Sequence, residues 1–172
     1  MVVAVSSPHP RRQPAALAVA AAVAAAAADR FVMITVADGG DLTPVAEAIC
    51  SAAQAGDCVY LHGPIGAGKT TLVQACARLL GVSEPVTSPT FALAHVYDGT
   101  PPVAHLDLYR LGEATGRDTA DLLAYLTEDA IAFVEWPEYG SNWLPAATCS
   151  VEIGLAADGV RQFDISPAAG RL

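Results

Sequence analysis

The chain has 172 residues, the length of one ordinary domain, and 53% of them are hydrophobic against 16% charged. That composition is too apolar for a disordered protein. From residue 31 onward, 6 basic residues stand against 17 acidic ones, a net charge of −11, which argues against unaided binding to a nucleic-acid backbone.

An alanine-rich segment, residues 15–28, lies near the amino terminus behind Arg11 and Arg12. Basic residues, a short apolar stretch and small residues at 26–28 are typical of a secretory signal peptide. The segment is too short to span a bilayer as a helix. The alternative, which we adopt, is that 1–30 is a disordered extension or the product of a wrong start codon. Residues 31–172 are then the domain.

The first half of that domain alternates strands and helices. A helix with Thr43 as its N-cap and Pro44 in its first turn ends before Gly56. A second helix carries apolar residues at helical spacing and ends at Gly81. The predicted strands here are Met33–Val36 and the buried Cys58–His62.

The second half contains more strands than helices. A helix capped by Asp118 or Thr119 runs through Leu126, and Asp158-Gly159 marks a hairpin. The predicted strands are Phe91–Tyr97, Val103–Leu108, Ile131–Val134, Cys149–Leu155 and Val160–Ile165. Strands that alternate with helices and end in hairpins predict an α/β fold with three layers and a mixed central sheet.

The four cysteines form no C-x-x-C pair, and the four histidines supply no second half of a zinc finger. A disulfide framework is unusual in a domain of this size. Scattered thiols in a reducing compartment are therefore the prediction. The cysteines are Cys50, Cys58, Cys76 and Cys149.

The segment Gly63–Thr70 reads GPIGAGKT and matches the phosphate-binding pattern G-x-x-x-x-G-K-[ST] at every fixed position. Its glycines leave backbone N–H groups free to surround a phosphate. Lys69 reaches the β- and γ-phosphates, the Thr70 hydroxyl is a ligand for Mg²⁺, and the following helix points its positive end at the anion. Because the match lies between a buried strand and an amphipathic helix, it predicts a nucleotide site in a P-loop NTPase fold.

Hydrolysis requires carboxylates beside this loop, and Asp107 is the first candidate. Alternation along the strand places His105 and Asp107 on one face. At the carboxyl end of a strand, Asp107 would face the ligand crevice. The alternative is an exposed Asp on a solvated edge strand, and His105 alone is more typical of a packed or capping histidine.

Glu135 is the second candidate because it follows four apolar strand residues, as in a Walker-B segment. It would hold Mg²⁺ through water or orient the attacking water. The alternative is a charge that only marks the strand end. The neighbouring Trp136 is more typical of core packing than of a site wall.

Thr87–Thr90 lies where many P-loop proteins carry a loop that senses the γ-phosphate. A plain proline turn is the alternative at this position.

Four segments together resemble the TsaE (YjeE) family, the small ATPases of bacterial tRNA threonylcarbamoyladenosine biosynthesis. They are GPIGAGKTT at 63–71, SPTF at 88–91, HLDLYRL at 105–111, and EWP at 135–137 followed by Leu144-Pro145. The resemblance covers about residues 33 to 165 and leaves the alanine-rich segment outside. HLDLYRL and EWP are more specific to the family than the phosphate loop.

The resemblance implies a cytoplasmic protein that binds ATP and Mg²⁺, hydrolyses ATP slowly by itself and works with the TsaB–TsaD pair, so that tRNA is met only through the complex. It implies that Lys69, Asp107 and Glu135 are catalytic, that Thr70, Asp107 and Glu135 bind the metal, and that 88–90 forms the switch-like loop. The residues it assigns to the nucleotide are Ile65, Gly66, Ala67, Gly68, Lys69, Thr70 and Thr71.

Three positions depart from the family pattern. Pro64 replaces the usual aspartate at a variable position of the loop, and the helix start around Thr43 matches the usual T-x-x-L-G poorly, which affects the expected adenine pocket. The usual Gly-Arg of the last hairpin is here Gly159-Val160-Arg161.

Other nucleotide-binding functions are less compatible with the sequence. A GTPase needs N-K-x-D to read guanine, but Lys69 is the only lysine. A small-molecule kinase needs an arginine-rich lid, and no two arginines of the domain lie close in sequence. An ATP-dependent interaction switch, in which hydrolysis only resets the nucleotide state, remains an alternative.

Overall fold

The computed structural model describes residues 2–5, 31–89, 92–112 and 120–167. Its eight strands are β1 (Val2–Val5), β2 (Val32–Val36), β3 (Cys58–His62), β4 (Ala94–Tyr97), β5 (Val103–Asp107), β6 (Ile131–Glu135), β7 (Cys149–Leu155) and β8 (Arg161–Pro167). The α-helices in these ranges are α1 (Thr43–Cys50), α2 (Lys69–Leu79) and the short α3 (Ala120–Leu123). Two 3₁₀ helices, Tyr109–Leu111 and Pro137–Gly140, follow β5 and β6.

The strands form one mixed sheet in the order β1-β2-β8-β7-β3-β6-β5-β4. Strands β7, β3, β6 and β5 are parallel neighbours. Strand β8 is antiparallel to both β7 and β2, and β4 is antiparallel to β5. The predicted α/β class with a mixed sheet is therefore confirmed.

The central strands are apolar on both faces because both faces are covered. On one face, Val59, Leu61 and Phe133 pack in one core with residues of α1 and α2. On the other face, Leu106 and Val134 pack with Leu122 of α3 and with Trp143 and Leu144. Burying one such large side chain contributes roughly 1.5–3 kcal/mol, so these central strands are a rigid base for the loops at their ends.

Several element boundaries differ from the predictions. The N-cap of α1 is Leu42, not Thr43, because the backbone N–H and hydroxyl of Thr43 donate instead to Asp41 Oδ1 at 2.9 and 2.7 Å. Strand β4 begins only at Ala94, since Leu93 has φ +68°. Helix α3 ends at Leu123, where tighter turns replace the predicted continuation to Leu126.

The strand β1, which is parallel to β2, was not predicted from the sequence. Residues 6–30, with the alanine-rich run, lie outside the described residues, as do Thr90, Phe91 and the proposed caps Asp118 and Thr119. Within the described ranges, no helix combines the length and hydropathy needed to cross a membrane.

Candidate nucleotide site

The glycine-rich segment forms the connection between β3 and α2. Gly63 has φ +138°, and a Cβ at that position would lie 2.7 Å from the carbonyl oxygen of Ile153, so a side chain cannot be accommodated there. Ala67 is fully buried in the core and its N–H donates to Pro64 O at 3.2 Å. The segment is thus anchored to the core from inside, while Ile65 at its tip is 69% exposed.

Lys69 is the first residue of α2 and is only 5% exposed. Its Nζ donates to the carbonyl oxygens of Gly63 at 2.8 Å and Pro64 at 3.0 Å, and it lies 3.8 Å from the ring centroid of Trp136. Burial lowers the pKa of Lys69, and the nearby carboxylates, that of Glu135 first, oppose this shift without cancelling it. The ammonium group is therefore held against the loop in a poorly hydrated place.

Asp107 and Glu135 are register partners at the carboxyl ends of the parallel strands β5 and β6. Both are buried, with exposures of 5% and 4%. The alternative for Asp107, an exposed residue on a solvated edge strand, is wrong because β5 lies between β6 and β4 and all five of its residues are buried. The two carboxylates and the start of α2 thus lie at the same end of the sheet.

The carboxylate of Glu135 has two donors on one oxygen. Thr70 Oγ1 donates to Oε1 at 2.7 Å, and Nε2 of the fully buried His105 lies 2.9 Å from the same atom. Since a carboxylate only accepts, His105 carries its proton on Nε2. Its Nδ1 is buried without a hydrogen-bond partner among the described residues. These contacts fix Glu135 and leave Oε2 as its free oxygen within the described structure.

Asp107 is held by the segments on either side of it. Ser88 Oγ donates to Oδ2 at 3.0 Å, and the backbone N–H of Tyr109 donates to Oδ1 at 3.1 Å. The predicted switch-like segment 88–90 is therefore in contact with the site through Ser88, whereas Thr90 lies outside the described residues.

These groups surround a cleft of about 390 Å³. The residues that line it are Ile65, Gly66, Gly68, Lys69, Thr70, Thr71, Asp107, Tyr109, Glu135 and Trp136. Of the side chains assigned to the nucleotide and to catalysis by the sequence, only the buried Ala67 does not line the cleft.

Trp136 is a site wall that sequence reasoning assigned to core packing. Its backbone is left-handed, with φ +58°, an uncommon and strained conformation for a bulky residue. Its ring lies 5.0 Å from that of Tyr109 and 6.3 Å from that of Tyr139, measured between centroids. The left-handed conformation directly after Glu135 thus changes the direction of the chain at the cleft, where the indole of Trp136 lies over Lys69. In the sequence, only its position next to Glu135 indicated that Trp136 could line the site.

The donor set fits Mg²⁺ bound together with phosphate better than a cation held by protein ligands alone. Among the described residues, no group of three His, Cys, Asp or Glu could hold a metal ion. Mg²⁺ usually takes one or two carboxylates plus phosphate oxygens and water. Thr70, Glu135 and Asp107 beside a phosphate-binding loop match that preference.

Comparison with known proteins gives one consistent family. A family model described as "Threonylcarbamoyl adenosine biosynthesis protein TsaE" matches residues 36–163. A protein named tRNA threonylcarbamoyladenosine biosynthesis protein TsaE from Nostoc sp. is 32% identical over 149 residues, 81% of this chain and 88% of that protein. The protein of the same name from Streptomyces coelicolor is 47% identical over 122 residues, 66% of this chain and 81% of the relative.

Two further matches differ in how much they cover. The relative of that name from Mycobacterium tuberculosis is 45% identical over 96 residues, so this chain spans 55% of its length and the match covers 49% of this chain. Among solved structures, the crystal structure of Bacillus subtilis YdiB superposes with a TM-score of 0.68 at 26% identity, covering 83% of this chain and 88% of that one.

Proposed function

Because the chain belongs to the TsaE family, we propose that it is a Mg²⁺-dependent ATP-binding and ATP-hydrolysing protein. In this proposal its fold is a three-layer P-loop NTPase fold. It acts as the accessory subunit of the complex that forms threonylcarbamoyladenosine in tRNA.

The observation that carries the ATPase proposal is the contact between the phosphate loop and the carboxylate pair. Thr70, directly after Lys69, donates to Glu135 at 2.7 Å, and Asp107 is the register partner of Glu135. A threonine hydroxyl that donates a hydrogen bond to a carboxylate still has oxygen lone pairs for a cation. One arrangement therefore offers hydrogen-bond donors for phosphate, a metal ligand and two carboxylates.

Each residue has a role in this proposal. Lys69 would bind the β- and γ-phosphates, and Thr70 with Glu135 would hold Mg²⁺. Mg²⁺, when bound, neutralises charge on the transferring phosphoryl group. Asp107, held by Ser88 and by the Tyr109 backbone, would share with Glu135 the tasks of holding Mg²⁺ and orienting the attacking water. The loop backbone from Ile65 to Thr71 cradles the remaining phosphate oxygens.

The partner in this proposal is the TsaB–TsaD pair, and contact with tRNA is made through the assembled complex in the cytoplasm. The charge of the domain supports this division, since a net charge of −11 from residue 31 onward repels a nucleic-acid backbone. The slow basal turnover of such a subunit would rise when the pair docks.

The test is ATP hydrolysis by the full chain, alone and with the TsaB–TsaD pair of the same organism. We expect slow turnover alone, faster turnover with the pair, and loss of both in Lys69→Ala and Thr70→Ala. Thr127→Ala is the control, because Thr127 is exposed and precedes β6 at the end opposite Glu135.

Two results would contradict the proposal. Wild-type turnover in Thr70→Ala would remove Thr70 from the metal site. A pair without effect on turnover, together with phosphorylation of a small metabolite, would favour a kinase instead.

A further inference from the structure

Arg161, the first residue of β8, reaches the phosphate loop. A Cβ placed on Gly68 would lie 2.9 Å from Arg161 Nη1 and 4.0 Å from its Cδ. Gly68 has φ +99° and is the N-cap of α2. A phosphate approaches such a loop closely where glycine leaves the Cβ space free. Arg161 Nη1 therefore lies in the space that the missing side chain of Gly68 leaves open, beside the loop backbone that would receive an anion.

The sheet topology explains how a residue so far along the chain reaches the loop. Arg161 pairs with Leu155, the last residue of β7, and β7 is parallel to β3. Because β8 runs in the opposite direction, its first residue lies at the end of the sheet where β3, β5 and β6 finish. The same end carries the loop, Asp107 and Glu135.

Among the described residues, Arg161 has no acidic partner that would explain its position. Its Nε is buried without a hydrogen-bond partner, and it makes no ion pair within the part of the chain that the structure describes. Withdrawing a guanidinium group from water without such compensation is costly. In a domain with 17 acidic and 6 basic residues from position 31 onward, a half-buried arginine that has no carboxylate partner among the described residues points to an anionic ligand.

We propose that Arg161 is a second cationic ligand of the bound nucleotide and that it contacts the α- and β-phosphates. This inference rests on the proposed nucleotide site. Lys69 serves the β- and γ-phosphates from the Trp136 side of the loop, while Arg161 borders Gly68, where the loop backbone holds the phosphates that ATP and ADP share. Removal of Arg161 therefore weakens ATP and ADP equally.

The test is calorimetric titration of the full chain with ATP and with ADP. A hydrogen bond to a charged group contributes about 1.5–3 kcal/mol, so Arg161→Gln should weaken both nucleotides by about 10- to 100-fold. Arg161→Lys should be intermediate, because lysine keeps the charge but not the planar fork. Arg78→Gln, a control of equal charge change at an exposed site in the last turn of α2, should bind as wild type does.

The outcomes separate this inference from the function on which it rests. One result overturns the role of Arg161 and leaves the nucleotide site standing. In that result the wild type binds ATP, and the affinity of Arg161→Gln for ADP is within about twofold of the wild-type affinity for ADP, or higher. If the wild type binds neither nucleotide, both are refuted. Circular dichroism and thermal melting establish that each variant is folded, and Arg161→Lys alone decides the question if the glutamine variant does not fold.

Discussion

Replacing Glu135 with glutamine or with alanine separates the charge of its carboxylate from its hydrogen bonds. Glutamine keeps an oxygen that can accept from Thr70 and from His105, and its amide group takes the place of Oε2. Alanine removes the acceptor for both donors. The two variants therefore lose the same charge, but only one of them loses the hydrogen bonds that hold the site.

The magnitudes follow from burial. His105 is fully buried, so the Nε2–H left without an acceptor in Glu135→Ala costs about 1–3 kcal/mol. The Thr70 hydroxyl is partly exposed and adds less, because water can replace its acceptor. The free energy of unfolding of Glu135→Ala should therefore be lower than that of Glu135→Gln by at least about 1–3 kcal/mol. Turnover should fall about 100- to 10,000-fold in both variants, because both lose the carboxylate charge that serves Mg²⁺ and the attacking water.

Urea unfolding measures the first quantity, and ATP hydrolysis in the presence of the TsaB–TsaD pair measures the second. Glu128→Gln is the control, since this exposed glutamate precedes β6 at its opposite end. Equal unfolding free energies for the two Glu135 variants would refute the hydrogen-bonding argument. Wild-type turnover in Glu135→Gln would remove Glu135 from catalysis.

Three further predictions concern the same end of the sheet. His105→Gln can keep a donor near Glu135 Oε1, whereas His105→Asn places its amide nearer the Nδ1 position. The asparagine variant should therefore be less stable than the glutamine variant by about 1–3 kcal/mol in urea unfolding. Equal stability of the two variants would contradict this. Because burial lowers the pKa of Lys69 from its ordinary value of 10.5, its charge is lost at a lower pH than that of an exposed lysine. The ATP affinity of the wild type, measured by calorimetry, should then fall as the pH rises towards 10.5, while that of Lys69→Arg should stay level. A parallel fall in both proteins would argue against the loss of charge on Lys69 as the cause. Gly63→Ala should lower the melting temperature, because its Cβ would lie 2.7 Å from Ile153 O at φ +138°, and an unchanged melting temperature would show that the loop can relax.

The phosphate loop was predictable because every requirement for it is local. The strand Cys58–His62, the glycines and the helix from Lys69 follow one another in the sequence, so pattern and spacing alone specify the element order. The strand has the predicted bounds in the structure. The structure also shows that Ala67 is buried in the core, although the phosphate-binding pattern allows any residue at that position.

The juxtaposition of Asp107 and Glu135 was predictable for a different reason. Each ends a strongly apolar strand, and the carboxyl ends of parallel strands meet at one edge of a sheet. The role of His105 was not predictable to the same extent, although alternation placed it on the face of Asp107. Its partner is Glu135 on the adjacent strand, and that contact depends on the register of β5 against β6 and on the side-chain rotamer.

The position of Arg161 depends on the register of the final hairpin, which the packing of the core determines. Phe163 and Ile165 follow Arg161 at intervals of two and are buried in the core that α1 and α2 cover. A slip of one residue would move all three side chains to the opposite face of the sheet. The burial of Phe163 and Ile165 therefore also keeps the Arg161 side chain on the face of α2 and the phosphate loop. The same apolar contacts that stabilise β8 thus position a cation beside Gly68. The segment Gly159-Val160-Arg161 differs from the family's usual Gly-Arg and does not by itself specify this position.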